Sequence, residues 1–77
     1  MKTAVPTTSA KLLDVIALLE DRPEEGLAGG QVGTIVEVLA PGVFEVEFCD
    51  GAGGTIGFAE LRRADFLVLR HEPALTA

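Results

Sequence analysis

The sequence predicts a small all-β domain, and three observations within one stretch, Gly30 to Asp50, carry that expectation. Val43 to Cys49 (VFEVEFC) alternates, with Phe44, Val46 and Phe48 on one face and Glu45 and Glu47 on the other. That is the pattern of a strand with one side in a core and the other in water. Gln31 to Leu39 (QVGTIVEVL) is β-branched and valine-rich, which suits a pleated, half-buried surface. Between them, Ala40-Pro41-Gly42 reads as a turn, because proline presets φ and glycine tolerates a positive one. The two strands form a hairpin, and the remaining segments read as strands added to it.

In chain order, Met1 to Ala10 (MKTAVPTTSA) carries no apolar periodicity and is expected to be a flexible tail. KLLDVIALLED follows and reads two ways. Leu12, Leu13, Ile16 and Leu19 fit a helical stripe that Ser9 would cap. As a strand, the same run puts Val15, Ala17 and Leu19 on one face and Ile16 and Leu18 on the other. Asp21 to Gly30 (DRPEEGLAGG) is a loop punctuated by Pro23, Gly26 and Gly29-Gly30, with Leu27 as the apolar residue that tucks it down. Glu20, Asp21, Glu24 and Glu25 make a small acidic cluster on it, read as a solvated surface.

Beyond the hairpin, Asp50-Gly51-Ala52-Gly53-Gly54 is a turn and Thr55 to Leu61 (TIGFAEL) a third strand of the meander. Ile56 and Phe58 share one face of it, while Gly57 and Ala59 thin the other, a mark of a bend or a close backbone approach. Arg62-Arg63-Ala64-Asp65 reads as a short helical turn, Phe66 to Leu69 as the last strand, and His71 to Ala77 as a flexible end. The organisation is one domain over residues 11–70 between tails at 1–10 and 71–77.

Composition narrows the function. Seventy-seven residues make one small domain, which buries only about 60% of its unfolded surface. Disulfides cannot supplement its stability, because Cys49 is its one cysteine; with 48% hydrophobic residues, self-association becomes a candidate supplement. Twelve acidic against six basic residues give a formal charge of −6. Nucleic-acid binding draws its affinity from basic residues on phosphates, so it is disfavoured, as is an anionic membrane surface. A basic protein partner fits. The opening residues meet Pro6 before any signal-peptide apolar core, no run approaches a membrane span, and one unpaired cysteine suits a reducing compartment; the expected location is the cytoplasm.

With the strands placed, Gly30-x-x-Gly33-x-Ile35-x-x-Val38, a turn, and Val43-Phe44-Glu45-Val46-Glu47-Phe48 resemble the KOW-type pattern of small SH3-like barrels. More closely, Leu12 to Leu69 resembles a family of short bacterial domains of unknown function, through LLDVIALLEDRPEEGLAGGQVGTIVEV, then FEVEF, Asp50-Gly51 and FLVL. The resemblance implies an SH3-like barrel of about five strands with a short helical turn before the last one, and it makes Asp14 to Leu19 a strand. It implies no activity, since fold does not carry function. The chain departs from nucleic-acid-binding KOW domains, which typically expose basic residues around the rim. Its hairpin carries Glu37, Glu45, Glu47 and Asp50, with no lysine or arginine.

Catalytic chemistry finds little footing. Cys49 shares strand parity with Glu45 and Glu47, a poor setting for a nucleophile, and nothing in the sequence brings it to His71. One histidine and one cysteine do not make a transition-metal site, and neither GAGG (Gly51–Gly54) nor GLAGG (Gly26–Gly30) opens a helix or precedes Lys-Ser/Thr as a phosphate loop would. Without tryptophan or tyrosine, the aromatic groove that binds proline-rich peptides is missing. Arg62-Arg63 reads as a solvated turn. No cofactor, metal or catalytic residue is expected.

The leading expectation is a non-catalytic protein-interaction module, antitoxin- or immunity-like, whose face Glu37, Glu45, Glu47 and Asp50 meets a basic partner. Glu37 is expected directly across the hairpin from Glu45, unless a bulge at Val36 or Glu37 separates them; adjacent like charges are destabilising and ask for a reason. A self-assembling protein that buries outer positions Val43, Ile35 and Leu39 against its own copies is the alternative. A KOW-like nucleic-acid role ranks third.

Overall fold

The computed structural model describes residues 10–69. The expected tails, apart from Ala10, lie outside these residues, as does His71.

Among the described residues, five antiparallel strands form one open sheet, and the helical segments are two single 3-10 turns. Strand β1 is Val15–Leu18, β2 Val32–Ala40, β3 Val43–Cys49, β4 Thr55–Arg62 and β5 Phe66–Val68, in the sheet order β4-β3-β2-β1-β5. The two-way segment is therefore a strand. Paired with Gly33 of β2 on one side and Val68 of β5 on the other, Ile16 is fully buried, and Leu18 beside it nearly so. Two flanking ladders supply hydrogen bonds and burial that a lone short helix would lack, so tertiary pairing wins over local propensity.

The hairpin forms as its alternation demands. Phe44, Val46 and Phe48 enter a wholly apolar core with Ile16, Leu18, Leu27, Ile35, Ala59, Leu61 and Phe66, and Ala10 and Val68 pack against it. Phe44 meets Phe66 edge to face, with ring centroids 5.6 Å apart. Ile35 is 0% exposed, which corrects its assignment as an outer position available to a second copy. The cause is a register shift between Ile35 and Glu37: Val36 is the extra residue of a bulge, so positions before and after it change parity. Strand β2 pairs with β1 before this bulge and with β3 on both sides of it.

The turns follow their residue chemistry. Gly42 has φ +75° behind Pro41, and Gly53 has φ +91° in the β3–β4 turn. In the β1–β2 loop, Pro23–Glu25 forms a 3-10 turn ended by Gly26 at φ +70°, and Leu27 is buried as expected. The Arg22 guanidinium then joins this loop to the second 3-10 turn, Arg63–Asp65, through a 3.0 Å hydrogen bond to Asp65. Asp65 also accepts the Arg62 backbone N–H at 2.7 Å, closing the turn that leads into β5. The close backbone approach lies at Gly33 rather than Gly57: a Cβ at Gly33 would stand 2.7 Å from Val46 Cγ1 and 2.8 Å from the Glu47 carbonyl oxygen, whereas one at Gly57 would meet nothing within 4 Å.

Candidate functional site: an acidic row across the outer face

Strands β2, β3 and β4 lie side by side, so residues in register form rows across the sheet. In one row Glu37 is opposite Glu45 and Glu45 is opposite Glu60. The bulge at Val36 does not separate the first pair; it restores Glu37 to the outer face after Ile35 has entered the core. Directly opposed side chains of an antiparallel pair have Cβ atoms about 4.5–5.5 Å apart, so the three glutamate side chains leave the sheet as neighbours in one row.

Glu47 is two residues along β3, opposite Thr34 and Phe58, and accepts a 2.7 Å hydrogen bond from the Thr55 hydroxyl. Asp50 is not part of this group. Its Oδ1 accepts the N–H groups of Ala52 (2.9 Å) and Gly54 (2.8 Å), so its carboxylate is turned inward on the β3–β4 turn. Aspartate bonding its own backbone two residues on is a common turn device. Of the four expected residues, three share the outer face and the fourth holds a turn.

Glu60 belongs to the row although the hairpin alone did not point to it. It has the parity of Ile56 and Phe58, both exposed, while Ala59 and Leu61 fill the inner side of β4. The thin face of that strand is the core face.

The row stands apart from the ion pairs among the described residues, which join Lys11 to Asp14 and Arg22 to Glu25 and Asp65. Arg63 lies over the Phe66 ring, 5.1 Å from its centroid, and donates to the Phe66 carbonyl. Arg62 is two residues from Glu60 along β4, opposite Val43. Asp14, just ahead of β1, has a carboxyl group held below its ordinary value. Burial pushes its pKa up, but hydrogen bonds from the Lys11 backbone and side chain, with the charges of Lys11 and Arg63, outweigh this and hold it below 3.8.

Cys49 is exposed at the end of β3. Among the described residues, no three His, Cys, Asp or Glu side chains are grouped to hold a metal ion, and no helix is long and apolar enough to cross a membrane. A shallow cleft of ≈ 160 Å³ between the end of β1 and Asp65 contains Glu20, Asp21 and the Arg22–Asp65 pair. It is well below the several hundred Å³ of an ordinary small-molecule site.

The fold and this face define a small all-β domain with an acidic sheet surface. The chain belongs to DUF4926, a family described as a domain of unknown function, which it matches over residues 12–68. No curated protein and no solved structure matches it.

Proposed function

We propose that this chain is a non-catalytic protein-interaction module, and that the outer face of β2–β3–β4 receives a basic protein partner. The observation that carries the reading is the row Glu37–Glu45–Glu60, with Glu47 beside it. Like charges placed directly across strands cost stability in the free protein. A cationic partner seated on them removes that cost, so the repulsion becomes a source of binding energy and of electrostatic steering. The formal charge of −6 acts in the same direction.

The supporting frame is an SH3-like barrel. In favour of it are the β4-β3-β2-β1-β5 order, the bulge that bends β2 at Val36, and the 3-10 turn ahead of the last strand. The role is that of a neutraliser, like an antitoxin or immunity protein, acting in the bacterial cytoplasm, where Cys49 stays reduced.

Capture on the tagged full-length chain, read by mass spectrometry, should recover one stoichiometric basic protein. The triple variant E37Q/E45Q/E60Q should keep the fold and lose that protein. Recovery of nothing above background from the unaltered chain sinks the reading.

A further inference from the structure

The outer face of the sheet carries a second feature beside the acidic row. Two residues along β3 from Glu45, the next row across β1 to β4 is Val15, Thr34, Glu47 and Phe58, in register. Beyond it, Val32 of β2, Ala17 of β1 and Leu67 of β5 again stand opposite one another. Val32, Phe58 and Leu67 are 50%, 54% and 55% exposed, so the described residues leave an apolar strip uncovered next to the glutamates. Exposed apolar residues scattered singly need no explanation, but a strip rimmed by polar groups marks an interaction surface.

We infer that this face takes an amphipathic basic α-helix of the partner protein, lying across the strands with cationic side chains along one edge and apolar ones beneath. The inference rests on the reading of this face as the partner-binding surface and adds the form of what binds. Backbone chemistry selects a helix. Strands β1, β2 and β3 each have a neighbour on both sides, so an extended segment laid on the face would find no partners for its own N–H and C=O groups. A helix satisfies its backbone internally and offers side chains alone. Spacing agrees, since strands stand about 4.7–4.9 Å apart and a helical turn rises about 5.4 Å. Basic residues at i, i+4 and i+7 therefore fall beside Glu37, Glu45 and Glu60 in turn. From β4 to β5 the sheet has four such intervals, roughly 19 Å, which about 13 helical residues cross. Charge argues against the other occupants. A second copy brings a formal −6 of its own, and residues 1–9 and 70–77 hold one lysine and one arginine between them against three carboxylates.

Calorimetric titration of the full chain with two synthetic peptides of one composition and equal helicity tests this. In the first, lysine stands at i, i+4, i+7 and i+11 and leucine follows each lysine, making two adjacent stripes; the second shuffles the order so that neither stripe forms. The first should bind at least tenfold more tightly, and its affinity should fall as salt is added. E37Q/E45Q/E60Q should weaken it at least tenfold and V32T/L67T several-fold. Glu24→Gln, at an exposed glutamate of the β1–β2 loop, should leave it unchanged. The unaltered chain supplies a readout that needs no variant: the first peptide should move the side-chain resonances of Val32, Phe58 and Leu67. Overturning results are equal affinity for the two peptides, a loss with Glu24→Gln as large as with the row, or those three resonances unmoved. No binding at high micromolar concentration, because a second copy or the chain's own ends hold the face, also overturns it. A basic protein recovered by capture alongside equal peptide affinities removes the helix and leaves the partner-binding reading standing, whereas capture of nothing removes both.

Discussion

Gly33→Ala is the sharpest single test of how the sheet is packed. The added methyl would stand 2.7 Å from Val46 Cγ1, 2.8 Å from the Glu47 carbonyl oxygen and 2.9 Å from Phe48 Cδ1. Val46 and Phe48 are both fully buried, so neither can swing into solvent, and the carbonyl belongs to the β3 ladder. Relief therefore requires β2 and β3 to move apart at the centre of the core. Inserting one methylene into a close-packed interior costs about 1–3 kcal/mol, and with a backbone atom among the clashes the upper half of that range, about 2–3 kcal/mol, applies. For a domain of this size each kcal/mol shifts Tm by about 4–8 °C, so the Tm followed by circular dichroism should fall by roughly 8–24 °C. Gly57→Ala is the matched control, because its methyl meets nothing within 4 Å, and it should lose nothing. A Gly33→Ala protein melting within about 2 °C of the unaltered chain would refute the close approach of β2 and β3.

Four further outcomes follow from named contacts. Leu13 holds φ +73° while 68% exposed, so Leu13→Gly should stabilise the fold by about 0.5–1 kcal/mol in urea unfolding, the left-handed penalty of leucine less the entropy of glycine. Glu45→Gln removes the middle charge of the acidic row and should stabilise by about 0.2–1 kcal/mol at low salt, with the gain shrinking as salt is added. Asp65→Ala removes acceptors for both the Arg62 N–H and the Arg22 guanidinium and should cost about 0.5–2 kcal/mol by the same measurement. Because the Asp14 carboxyl is held below its ordinary value, its contribution is complete above 3.8 and is lost as pH falls through the lower folded-state value; Asp14→Asn should flatten the stability profile in that acid window alone.

The hairpin was readable because its two signals agree: period-two alternation in β3, and the Pro41-Gly42 turn. The buried set Phe44, Val46 and Phe48 follows directly from that alternation. The β1 segment was not decidable locally, since Ile16 and Leu18 fit a strand face while Leu12, Leu13, Ile16 and Leu19 fit a helix; what settles it is pairing with β2 and β5, residues remote in sequence. The side of Ile35 was lost to a one-residue bulge, which reverses parity without any change in hydrophobicity. Glu60 was hidden because apolar residues suggest the core, yet Ile56 and Phe58 share its outer parity and the small Ala59 faces inward. Asp50 looked like one more outer carboxylate, and only its hydrogen bonds to Ala52 and Gly54 reveal a turn residue.

The position of β1 between β2 and β5 has a consequence for how the protein comes into being. Ile16 is buried against partners well downstream in the chain, Gly33 of β2 and Val68 of β5, and Phe66 arrives in the core only with β5. A nascent chain that has emerged only as far as β4 thus presents β1 as an open edge and a core without one of its rings. Such non-local closure is slow to nucleate. Completion waits for β5, so a translation product interrupted before Phe66 exposes pairing surface on β1 that the folded domain conceals.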